Sequence, residues 1–243
     1  MTQIESILPE DAVLNRFGFF TSLSFAALTF ITFVIAAFTP PISGPFCQGD
    51  CINYPYLDII SRFPRDYIWM YTAMLMMLVF IAFIASIHQS APKEKKIFSL
   101  LSLTFAGMAA VIVVTDYFLQ VSVIQASLVH GETEGIPLLT QYNEHGIFIA
   151  LEDIGYLLMS LSLLFIAPAL RKKRKLENAV RWIVTIGFLL VLISLILISI
   201  FYGINRSYRF EVAVITITWT VAILSAILMA LDFRGRIKRE DDK

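Results

Sequence analysis

Charge is what this sequence has least of. Only 16% of its 243 residues are Asp, Glu, Lys or Arg, against about 25% in an ordinary soluble domain. Lys+Arg and Asp+Glu number 19 each, so the formal net charge is zero. That balance implies no polyelectrolyte partner, and there is no basic stripe with interleaved aromatics for a nucleic acid. Histidine occurs three times and no HExxH is present. Zinc spacing is absent, and so is any segment polar enough to form a separate soluble catalytic or sensor domain. No Lys or Arg lies in the middle of any long apolar block.

Those blocks are what the sequence has instead. Hydrophobic residues make up 58% of the chain, with 20 Phe and a mean hydropathy of +0.75. Roughly 20 apolar residues are needed to cross the hydrocarbon of a bilayer. Six segments qualify: Phe17–Phe38, Tyr67–His88, Ile97–Val121, Gly146–Leu170, Trp182–Tyr202 and Val212–Leu231. The first is too long for the apolar core of a signal peptide and follows Glu5, Glu10 and Asp11, so it reads as a retained span. The expectation is an all-α bundle of six transmembrane helices forming one domain over residues 1–243.

Basic residues orient it. With the N-terminus inside, the inner segments hold 15 of the 19 Lys+Arg; the outer loops hold Arg62, Arg65, Arg206 and Arg209. The positive-inside rule places both termini in the cytoplasm. The runs RKKRK (171–175) and FRGRIKRE (233–240) read as topology signals at the headgroups, in preference to sites for anionic lipid.

Both cysteines then fall in the outer loop 39–66, within PFCQGDCINYP. In an oxidising compartment Cys47 and Cys51 can close a small ring around the Gly49-Asp50 turn. Free thiols are the next alternative, and metal binding comes last because no His is near. The stretch YLDIISRF (56–63) reads as a short amphipathic turn with Leu57, Ile60 and Phe63 towards lipid or protein. The second outer loop, 122–145, is acidic. The third helix should continue beyond the bilayer to about Val129 and stop at Gly131. The apolar dip IPLL folds back, and Asn143 is placed as N-cap of the fourth helix.

The fourth span, YNEHGIFIALEDIGYLLMS (142–160), is the polar one. At 100° per residue His145, Glu152, Asp153, Tyr156 and Ser160 share an arc of about 100°. Leu151, Leu157, Leu158 and Leu161 lie opposite. The third span carries Asp116, Tyr117 and Gln120 at a matching depth in TDYFLQ, and consecutive helices are usually neighbours. A site built from Asp116, Tyr117, Gln120, His145, Glu152, Asp153 and Tyr156 in the outer half of the bilayer is therefore expected, with Thr72 at a similar depth. Three carboxylates in one poorly hydrated place cannot all stay ionised. The site must hold protons, water, a cation or a polar ligand, or else serve as a hydrogen-bond network that fixes helix packing.

Three functions compete. One is binding, with possible transport, of a small polar, cationic or lipidic ligand. The second is an intramembrane enzyme acting on a lipidic substrate, with His145, Glu152, Asp153 and Thr72 as candidate catalytic groups. The third is an assembly partner in a membrane complex. A metal-centred variant on His145, Glu152, Asp153 and Asp116 would suit Mn²⁺, Mg²⁺ or Ca²⁺ better than zinc. No metal or cofactor is expected, and membrane lipids are the implied partners.

Two resemblances bear on these readings. The stretch Asn143-Glu144-His145-Gly146, opening a fourth span, is similar in placement to the Asn-His-Gly of the androgen-induced fatty-acid-ester hydrolases. That likeness implies nucleophile and base roles for Thr72 and His145; the inserted Glu144 and the acidic pair on the fourth helix depart from the pattern. The segment GETEGIPLLTQYNEHGIFIALEDIGYLLMS (131–160) resembles uncharacterised six-span proteins of bacteria and archaea, which implies a multi-pass protein of a prokaryotic plasma membrane.

Overall fold

In hydrocarbon every backbone N–H and C=O must be satisfied within the chain, and a helix does this locally. The apolar blocks accordingly become helices. The computed structural model describes residues 9–242; Glu5, used above in reading the first span, and the basic Lys243 lie outside them. Six long helices dominate: α1 (Pro9–Ala37), α2 (Ile68–Ser90), α3 (Lys96–Leu119), α4 (Ile147–Ile166), α5 (Lys175–Tyr202) and α6 (Ser207–Asp241). No strand occurs among the described residues. Five continuous segments are long and apolar enough to cross a membrane: Ala12–Ala37, Arg65–Ser90, Lys93–Val129, Ile147–Ile166 and Lys175–Glu240. The last contains both α5 and α6, which pack on each other and reverse at Gly203–Arg206.

Packing makes a closed ring. Its order is α1, α2, α3, α4, α6 and back to α1, so the first helix touches the last. Helix α5 stands outside this ring against α4 and α6. Its outward face, including Trp182, Leu189, Ile193 and Ile200, is exposed, as a lipid-facing surface requires.

The α3–α4 seam is antiparallel and tight along its whole length. Near the start of α3 and the end of α4, Ser102 and Ser162 each donate to the other's backbone carbonyl at 2.8 Å. Such small hydroxyl residues let two helices approach closely. Midway, Gly155 of α4 faces the Val113 side chain. Towards the end of α3 and the start of α4, Tyr117 bonds Glu152.

Charged groups lock the opposite end, at the α4–α5 turn. Glu177, 2% exposed, accepts the Arg171 backbone N–H at 2.5 Å and the Arg236 guanidinium at 3.0 Å. Arg236 also binds Asp232 through Nε at 2.7 Å, and Arg174 approaches both acids, at 3.6 Å from Glu177 and 3.4 Å from Asp232. Two residues of the basic runs thus hold the α4–α5 turn against α6.

The connecting segments depart from expectation in one place, the start of α4. The turn at Leu57–Arg62 buries Ile59 completely and leaves Ile60 and Phe63 41% and 38% exposed. Asn143 does not cap α4. Its Oδ1 accepts the His145 N–H and its Nδ2 donates to the Pro137 carbonyl, so it builds the turn before the helix, and Gly146 occupies the N-cap. Elsewhere the reading holds: the third helix reaches Val129, Gly131 follows with φ +74°, and IPLL forms a short helix with Ile136 buried. Cys47 and Cys51 are joined as a disulfide.

Candidate functional site

The ring interior carries a polar core in the half towards residues 39–66 and 122–145. Glu152 is fully buried. Its Oε1 accepts the Tyr117 hydroxyl, and the Tyr117 and Tyr156 hydroxyls lie 2.8 Å apart. Since the Tyr117 proton points to Glu152, Tyr156 must donate to Tyr117. The result is a relay, Tyr156 to Tyr117 to Glu152, ending on a carboxylate. Aromatic rings enclose it: Trp69 meets Tyr117 edge-on at 5.0 Å, Phe148 lies 5.8 Å from Tyr117, and Trp219 meets Tyr156 edge-on at 5.7 Å.

Beside Glu152 stands Glu211 of α6, a residue the sequence reading passed over. The two carboxyls are close neighbours. Yet Oε2 of each is buried and meets no donor. Two carboxylates offer only acceptors to one another, so they can bond only by sharing a proton. Asp116 is 2% exposed, lies within electrostatic reach of Glu152, and also has an oxygen, Oδ2, without a donor.

Glu211 opens this core to a cavity of about 380 Å³. The cavity runs between the end of α1 and the start of α6 and is capped by the loop 39–66. Phe33, Trp69, Phe148, Tyr208 and Trp219 form much of its wall; Asp66, Gln141 and Tyr142 add polar groups. Asp66 is engaged by Arg65 at 2.6 Å. Burial, reinforced by Tyr67, holds the Tyr142 phenol above the ordinary tyrosine range, so it remains a hydroxyl at neutral pH. Trp219 Nε1 and Gln141 Nε2 are buried donors without acceptors.

The other expected residues go elsewhere. Asp153 and Glu152 are consecutive, so they cannot face the same way on a helix. Asp153 lines a separate cleft of about 370 Å³ with His145, Glu144 and Arg206, between α4 and the α5–α6 turn. The His145 side chain is 57% exposed and its Nε2 lies 3.7 Å from Glu144. Thr72 gives its hydroxyl to the Trp69 carbonyl at 2.9 Å. Neither cavity brings Thr72 and His145 together. Among the described residues, no three His, Cys, Asp or Glu side chains are placed to hold a metal ion.

Gln120 has a structural task. Its Nε2 donates to the Leu139 carbonyl at 2.6 Å and its Oε1 accepts the Gln141 N–H at 3.0 Å. It sits where α3 widens into a π-helical turn over Gln120–Ile124, an irregularity common near functional sites. Gln120→Ala is expected to cost about 1–3 kcal/mol, the usual penalty for stranding buried polar partners. Faster amide exchange confined to residues 136–145 would be its signature.

The sequence signal for Glu211 was available. Glu211, Ile215, Thr218 and Trp219 recur at i, i+4, i+7 and i+8, which is one helix face. Glu211 sits one position before the last apolar block and two after Arg209, outside the segment read as a span. No family model, curated protein or solved structure matches the chain, so its residues alone carry the functional reading.

Proposed function

We propose that the chain is a six-span protein of a prokaryotic plasma membrane, with both termini cytoplasmic, that binds a small polar, cationic or lipidic ligand in its outer half. Helices α5 and α6 have 28 and 35 residues. At about 1.5 Å per residue each exceeds the roughly 30 Å of hydrocarbon, and together they complete an even number of crossings. The basic residues clustered at the α2–α3 and α4–α5 turns and at the end of α6 support the orientation.

The observation that carries the binding reading is Glu211. A nearly buried carboxylate oxygen without a donor, in the wall of an aromatic cavity, is an arrangement a ligand would satisfy. Intramembrane hydrolysis by Thr72 and His145 has less support, since their side chains belong to different surroundings. Transport is an extension of the binding reading, tested by flux in proteoliposomes.

The test is to purify wild type and Glu211→Gln under mild conditions and compare co-purifying molecules by native mass spectrometry. Wild type is expected to retain a specific molecule that the variant loses at an unchanged melting temperature. Identical profiles would overturn the binding reading and leave the acids as a packing network.

A further inference from the structure

We infer that the cavity takes an amphipathic organic cation, an ammonium head on an apolar body, reaching it sideways from the outer leaflet. This rests on the ligand-binding reading above and names the class of ligand. Four observations support it.

The mouth is apolar. Ala37 and Pro41 at the end of α1, Phe46 of the capping loop and Val212 of α6 are all exposed beside the opening. A charged, water-borne solute would find little to attract it there, whereas an acyl or aryl body would. The wall holds no Lys or Arg. An anionic head would therefore meet no counter-charge, since Arg65 is engaged by Asp66 just outside. Glu211, 9% exposed, presents an unpartnered oxygen. The rings of Trp69, Trp219 and Tyr208 line the same space, and ring faces attract cations, Trp most strongly.

The shared proton gives the site a second property. An ammonium at Glu211 would compete with a proton shared by Glu211 and its neighbour Glu152, so binding would release up to one proton to water. The ionisable groups nearest Glu211 are Glu152 on α4, Asp116 on α3, Tyr208 on α6 and, across the cavity, Asp66 and Tyr142; Asp153 acts on it only from the neighbouring cleft. All are acids or phenols, so none supplies a positive charge in the ligand's place. Affinity for a permanently charged ammonium should therefore rise with pH.

The full chain in lipid nanodiscs allows a direct test. Of its three tryptophans, Trp69 and Trp219 line the cavity and Trp182 is exposed on α5. In a Trp182→Phe background, tryptophan fluorescence reports the site. Octyltrimethylammonium, octanol and octanoate are titrated as length-matched probes. The ammonium should give a saturable change, tightening as pH rises by up to about tenfold per unit. It should bind at least tenfold more weakly to Glu211→Gln. Thr216→Phe, which fills the mouth, adds no fluorophore of that emission and leaves every carboxylate in place, should abolish the signal. Octanol binding as tightly as the ammonium, indifferent to Glu211→Gln, would overturn the cation class and leave a lipid-binding cavity. An ammonium signal that survives Thr216→Phe would overturn the location. No saturable signal with any probe, together with unchanged co-purification, would remove the binding reading as well.

Discussion

Arg236→Ala is expected to destabilise the bundle by about 3–5 kcal/mol, because removing one partner strands buried charges. Arg236 is the guanidinium between Glu177 and Asp232, and its side chain is only 11% exposed. Without it, two carboxylates 2% and 7% exposed face each other with only Arg174, itself 31% exposed, nearby. Thermal unfolding in detergent, followed by helical circular dichroism, checks this. The mechanism makes a sharper statement about rescue. The triple change Glu177→Gln, Asp232→Asn, Arg236→Met removes all the buried charge at once and should recover most of the loss. A triple variant no better than Arg236→Ala would mean that the guanidinium acts through packing.

The second large effect belongs to Gly155. An alanine methyl there would sit 2.5 Å from Val113 Cγ2, well inside van der Waals contact. Valine in a helix has one strongly preferred rotamer and cannot swing away freely. Gly155→Ala should therefore cost about 1–3 kcal/mol as an overpacked seam, despite the better helix propensity of alanine. Val113→Ala should relieve it, giving a coupling of about 0.5–3 kcal/mol in a double-mutant cycle. Gly155 lies one turn from Glu152, so the unrelieved variant should also weaken ligand retention by parting Tyr117 from Glu152.

The helices were legible because the apolar blocks are long and uninterrupted. The neighbouring of α3 and α4 was legible too, from one connecting loop and matched polar residues. Direction within those helices was harder. Tyr117 was read as bordering the cavity and turned out to hold Glu152 itself. Asp153, one residue along, turned 100° away to a cleft it shares with Arg206. Gln120 looked like a ligand group by its spacing from Asp116, but backbone groups of the following loop consumed its amide. Glu211 escaped because its partner is 59 residues away on α4, across the α5 hairpin. Periodicity reports which face of a helix is buried; it does not report against which other helix.

The ring order has a consequence for synthesis. Glu152 is made well before Glu211, and α1 before the helix that closes against it. A ribosome feeding this chain into a membrane must hold α1 to α4 as an open crescent, its acid and two phenols turned towards lipid or the insertion machinery. The crescent becomes a ring only when α6 arrives. Chains arrested between residues 170 and 206 should thus be handed to quality control, whereas loss of the peripheral α5 face alone would leave the seam between first and last helices intact.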